Sequence, residues 1–257
     1  MSGGPDPGLR PSDIQAAIAV LFADEDLVVV DKPAGMPSVP ARTPLDPPCV
    51  AAVLARQFGS LEPVHRLDRD TSGILVLARS PAARASLGRA FETRQVRKRY
   101  EAIVQGRPPR AEGEVRLPLA RDPDRPPRYR VDPILGREAT TRWRLLETSA
   151  QADGVPWSWL ELEPVTGRSH QLRVHLAWLG LPIVGDRLYG WRPVPYGGEL
   201  ALRAVSLGLP HPRDGRPLEF AAAPRTRMPG CVQAPRAVSG AVVEPVVRSA
   251  EGPTCCQ

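Results

Sequence analysis

The stretch VHRLDRDTSGILVLAR, residues 64–79, sets His65, Arg66, Asp68, Arg69, Asp70, Thr71 and Ser72 directly before a run apolar enough to be a buried strand. Charge crowded against a core element loses solvation unless it meets partners or a ligand there. One reading of the residues is a polar turn, in which Asp and Ser satisfy backbone groups and Gly73 supplies an unusual dihedral. A second is a calcium loop, since Asp68, Asp70, Ser72 and Gly73 occupy the first, third, fifth and sixth places of that motif. It fails further along. The twelfth place, which needs a bidentate Glu, is Arg79, and Ile74 to Ala78 read as strand. No metal is expected.

Working outward, the chain reads as α+β. Short β-branched or alternating segments predict strands at 27–32 (LVVVDK), 73–79, 99–106 (RYEAIVQG), 140–147, 157–164 (WSWLELEP) and 217–222. Helices are expected at 49–59, at 81–95 with Ser80 as N-cap and Pro81 in the first turn, and at 169–180 with Gly180 as the stop. The proline-rich stretches near 107–113 and 121–130 read as loops. Residues 1–12 are expected to be a disordered N-terminus and 226–257 a disordered tail, which leaves 13–225 as one catalytic domain.

With 257 residues, 42% of them hydrophobic, the chain can bury a full core. A net charge of +6 favours a polyanionic partner, though the excess is spread along the sequence. No stretch approaches the roughly 20 apolar residues of a membrane span, and the first residues lack a basic start followed by an apolar core. A cytoplasmic protein without a membrane partner is expected. Cys49, Cys231, Cys255 and Cys256 offer neither a zinc spacing nor a disulfide framework and read as free thiols.

HRLDRDTSG resembles the signature of pseudouridine synthases of the RluA type. Three further segments are similar to that family's motifs and follow in its order: LVVVDKPAGMPSVPAR (27–42), KRYEAIVQG (98–106) and ELEPVTGRSHQLRVHLAWLGLPIVGDRLYG (161–190). The compact subgroup, without an additional N-terminal RNA-binding domain, is the better match. The RYRVDPILGREATT stretch looks most like members that act on both tRNA and large-subunit ribosomal RNA. Arg203 stands where many members carry His.

The resemblance implies a pseudouridine synthase fold, a mixed and mostly antiparallel sheet with flanking helices around a central basic cleft. It implies an RNA isomerase without cofactor, monomeric and with no DNA partner. Asp68 is implied as the catalytic carboxylate, Arg173 as its partner, and Tyr100 as the ring that stacks on the flipped uracil. Arg66 is implied to fill the gap that the base leaves. His65, Lys32, Lys98, Arg168, His170 and Thr71 are expected to contact RNA or substrate. A catalytically silent RNA-binding relative is the alternative, and the intact HRLD speaks against it.

Three local patterns bear on these roles independently. Tyr100, Ala102 and Val104 share one strand face. On the helix from Ser169, Leu172, Leu176 and Leu179 form a buried stripe while His170, Arg173 and Ala177 share another face. Cations so early in a helix oppose its dipole, so they imply a nearby anion, Asp68 or an RNA phosphate. Zinc binding by His170 and His175 is excluded, because five residues separate them by roughly 140° on a helix. Finally, of 34 basic residues only Lys32 and Lys98 are lysine, and both fall inside motifs, which points to places where a compact ammonium is required.

Overall fold

The computed structural model describes residues 18–40, 48–151, 154–190 and 199–222. The expected disordered ends, the suggested three terminal cysteines and part of the 27–42 motif lie outside these ranges. The strands are β1 (Ala19–Ala23), β2 (Leu27–Lys32), β3 (Glu62–Pro63), β4 (Ser72–Ala78), β5 (Arg97–Gln105), β6 (Glu112–Arg116), β7 (Leu119–Arg121), β8 (Tyr129–Val131), β9 (Thr140–Ser149), β10 (Trp157–Pro164), β11 (Leu202–Pro210) and β12 (Pro217–Ala221). The helices are α1 (Val50–Phe58), α2 (Pro81–Glu92) and α3 (Gln171–Trp178). None of these helices is long and apolar enough to cross a membrane.

Ten strands form one sheet along the path β1-β2-β4-β11-β5-β10-β9-β6, with β12 added beside β11 and β3 beside β4, while β7 and β8 pair separately. Every pairing in it is antiparallel except β11 with β4. The fold is the expected α+β sheet.

The opening stretch becomes intelligible at that parallel contact. All seven residues of β4 are buried, so the charged loop before it is mounted on the most rigid element available. The contact is close enough to dictate sequence: a Cβ on Gly73, at φ +110°, would lie 2.1 Å from the Ala204 carbonyl oxygen. Only glycine fits there.

Helix signals hold at α2, where Ser80 Oγ accepts the Ala83 N–H at 3.1 Å and Pro81 opens the first turn. They fail at α3. That helix starts at Gln171, and His170 before it has left-handed backbone, φ 55° and ψ 15°. His170 therefore shares no helical face with Arg173, and α3 is buried at every position from Gln171 to Leu176. The stretches read as loops near 107–113 and 121–130 each contain the start or end of a short strand, at β6, β7 and β8.

Candidate active site

Asp68, His65, Arg66, Thr71, Lys98, Tyr100, Arg168, His170 and Arg173 all line one cavity of about 700 Å³. The loop carrying Asp68 is pinned on both sides of that residue. Ser38 Oγ donates to the Leu67 carbonyl at 2.9 Å and accepts the Leu67 N–H at 3.1 Å. On the other side the Lys32 ammonium donates to the carbonyls of Arg69 (2.9 Å), Pro33 (2.9 Å) and Met36 (2.8 Å). The Thr71 N–H closes the turn onto the Asp68 carbonyl at 3.1 Å.

Lys32 is thus corrected from RNA contact to loop anchor. It is completely buried and has no surface to offer RNA. Three donors on one compact centre suit three converging carbonyls, which a planar guanidinium could not satisfy together. Burial draws its pKa down to about 8, against the opposing pull of Asp70 and Asp68.

Arg173 is almost wholly buried and is held by a residue that the sequence reading passed over. Its Nε and Nη2 donate to Asp186 Oδ2 and Oδ1, both at 2.8 Å, whereas only Nη1 reaches Asp68, at 3.2 Å from Oδ2. The guanidinium of the partner implied for Asp68 therefore closes its fork on Asp186. Asp186 also supplies most of the anion that a cation near the start of α3 requires. Its Oδ1 accepts the N–H groups of Leu188 (2.9 Å) and Tyr189 (3.1 Å) as well. Desolvation opposes the charge on Arg173, but the two carboxylates outweigh it and hold the guanidinium charged. The signal in the sequence was a single acid within the apolar LPIVGDRLYG.

His170 stands beside this pair, with Nε2 3.9 Å from Asp68 Oδ2. Its Nδ1 meets the Tyr189 hydroxyl at 2.8 Å, and that hydroxyl accepts the Tyr129 N–H at 2.8 Å. Desolvation lowers the His170 pKa below 6.5, with Arg173 and Arg66 acting in the same direction against Asp68 and Asp186. The ring is neutral at pH 7.

Tyr100 packs with Ala102 and Val104 as the alternation predicted. Burial and then the Asp68 charge raise its phenol pKa well above 10, so it stays protonated and presents an aromatic face with an O–H. His65 stacks on Phe91 with centroids 4.7 Å apart, and its Nε2 accepts the Val76 N–H at 3.1 Å. Burial first, and the Lys98 charge second, press its pKa to about 3. That ring is neutral, with its hydrogen on Nδ1. Thr71 is buried at the cavity wall.

Arg66 and Arg168 are exposed at the rim. Arg66 Nη2 donates to Ser169 Oγ at 2.6 Å, bridging the Asp68 loop and the loop before α3. Arg168 Nε donates to the Glu138 carbonyl at 3.0 Å. Buried Gln171 holds that second loop in place: its Oε1 accepts from Thr166 Oγ1 (2.7 Å) and the Arg168 N–H (3.0 Å), and its Nε2 donates to Thr140 and Thr141. His175 is a satisfied core residue, between Thr141 Oγ1 at 2.9 Å and the Leu117 carbonyl at 3.0 Å.

A carboxylate fixed in a deep cavity, backed by a buried arginine and faced by a tyrosine and neutral histidines, suits nucleophilic or base chemistry on a guest that enters from a cationic rim. The family model described as RNA pseudouridylate synthase matches residues 26–178, more than half of the chain. The chain belongs to the RNA pseudouridylate synthase family. The synthase is 39% identical over 208 residues to the dual-specificity RNA pseudouridine synthase RluA of Haemophilus influenzae, covering 80% of this chain and 93% of that one. The Escherichia coli K12 relative of the same name is 39% identical over 206 residues, covering 80% and 92%. Among solved structures, human RNA pseudouridylate synthase domain containing 1 matches with a TM-score of 0.68 and 28% identity over 84% of this chain and 86% of that one. As a member of this family the synthase is an isomerase that acts on RNA. Asp68, Tyr100 and Arg173 fall within the matched segment, and Asp186 lies just beyond it.

Proposed function

We propose that the enzyme converts particular uridines of tRNA, large-subunit ribosomal RNA or both into pseudouridine, with Asp68 as the nucleophile or base. The bond from uracil N1 to the anomeric carbon breaks, the base turns, and the anomeric carbon rejoins C5. A proton leaves C5 and N1 gains one, so the product is an isomer. A stacked uridine cannot reach Asp68, and flipping it out costs a few kcal/mol. In this reading Arg66 inserts its guanidinium into the vacated stack and Tyr100 packs against the uracil. Arg173 keeps Asp68 aimed, while Lys32 and Ser38 hold its loop.

The observation that carries the reading is Asp68 itself, on a pinned loop and bonded to a buried arginine that a second carboxylate has already neutralised and fixed. RNA as the substrate rests on the names of the relatives and on the cationic rim, and the choice of tRNA and large-subunit ribosomal RNA on the resemblance of the RYRVDPILGREATT stretch to members acting on both. The test is to incubate unmodified bulk tRNA and ribosomal RNA with the enzyme and map pseudouridine chemically, since the product has no change in mass. New pseudouridines at discrete positions are expected, and their absence from both RNAs would overturn the assignment.

A further inference from the structure

Among the described residues, two that are not glycine hold left-handed backbone, His170 at φ 55° and Arg94 at φ 60°, and both line the cavity. His170 gains contacts with Tyr189 and Asp68 from its conformation. Arg94 gains no such contact. It follows the end of α2, where the Gln95 N–H donates to the Ala90 carbonyl at 2.9 Å and the Arg94 N–H to the Phe91 carbonyl at 3.3 Å. This bonding pattern closes many helices, and the residue in the Arg94 position is usually glycine because a Cβ there costs about 1 kcal/mol. Here the position carries an exposed guanidinium that pairs with no carboxylate among the described residues.

Lys98 lines the same cavity, half-buried and also without a carboxylate partner among the described residues. Desolvation lowers its pKa with no acid to raise it again. Arg97, between them in the sequence, is occupied by Glu219. Lys98, unneutralised beside a stacked, neutral His65, and Arg94 in the lining of the same cavity describe a site lacking its anion. Both side chains are long and neither is held in a fork that would read a base edge.

We infer that Arg94 and Lys98, which line the same cavity, form a phosphate subsite that grips the RNA backbone beside the flipped uridine. The inference rests on the RNA reading above. It explains why arginine is retained where glycine would relieve the backbone, and it separates backbone grip from the chemistry at Asp68.

The experiment measures affinity for a fluorescent, unmodified tRNA transcript across a salt series, together with melting temperature, for the wild type, Arg94→Gly and Arg94→Asn. Both replacements tolerate left-handed backbone, so neither should lower the melting temperature, and Arg94→Gly should hold or raise it. Each should weaken binding severalfold and reduce the slope of log affinity against log salt by about 0.7 to 0.9, the value of one lost phosphate contact. A steep wild-type slope left unchanged in both variants would overturn the subsite alone. A lower melting temperature with unchanged slope would reassign Arg94 to supporting the helix end. A flat wild-type response would overturn the RNA reading itself, and the subsite with it.

Discussion

Arg173 serves two carboxylates, and the fold treats them in opposite ways. Asp186 is fully buried and accepts four hydrogen bonds, two from the guanidinium and two from backbone N–H groups. Asp68, with 22% of its side chain exposed, takes one bond at 3.2 Å and has His170 as a more distant neighbour. A carboxylate with four donors and no exposed surface is fixed in place and out of a substrate's reach. One with a single donor remains oriented yet open toward the cavity. The contrast divides holding from reacting: Asp186 and Arg173 form a preorganised base on which Asp68 is presented.

The contrast can be broken most forcefully at its buried half. Asp186→Asn leaves the Arg173 charge without its anion and should cost about 3 to 5 kcal/mol in urea unfolding, with activity lost as well. A loss below about 1 kcal/mol, the range of an exposed pair, would mean that Asp186 is not the anchor. Arg173→Lys returns the charge without the fork and should cost about 1.5 to 3 kcal/mol. Its turnover should stay slow even where it is folded. Equal stability of this variant and the wild type would show that geometry at Asp186 is unimportant.

The smallest effect concerns pH. The pKa of His65 falls from 6.5 to about 3 on folding, so between those values the unfolded chain binds a proton that the folded chain refuses. Stability is therefore fully present above pH 6.5 and declines as pH falls through that window. His170 and His175, also lowered chiefly by desolvation, act in the same direction. His65→Gln should flatten the acid side of the stability curve, and an unchanged curve would remove His65 from this account.

Much of the fold was legible because local patterns agreed with the tertiary outcome. The Ser80 cap and the alternation through Tyr100, Ala102 and Val104 are local and survived folding. β11, which lies at the centre of the sheet, was missed. Its sequence LRAVSLGLP is interrupted by Arg203 and Gly208 and bulged between Ala204 and Ser206, so no period of two is visible. Arg203 is admitted there by Asp31, 172 residues away on β2 with β4 between them. Lys32 sits where three carbonyls suit a compact ammonium, yet nothing local could reveal that it serves them from inside. Asp186 was hidden for the same reason. Its donors are a guanidinium 13 residues upstream and its own following turn, a pairing that only the fold assembles.

The division between the two carboxylates is tested most directly by Asp68→Asn, measured for melting temperature, RNA affinity and pseudouridine formation in the same preparation. A partly exposed pair contributes little to stability, so unfolding should shift by less than about 1 kcal/mol. Affinity should stay within severalfold of the wild type, because phosphate contacts supply most of it. Pseudouridine formation on bulk unmodified RNA should vanish. New pseudouridines at the wild-type positions would contradict the assignment and remove Asp68 from the chemistry.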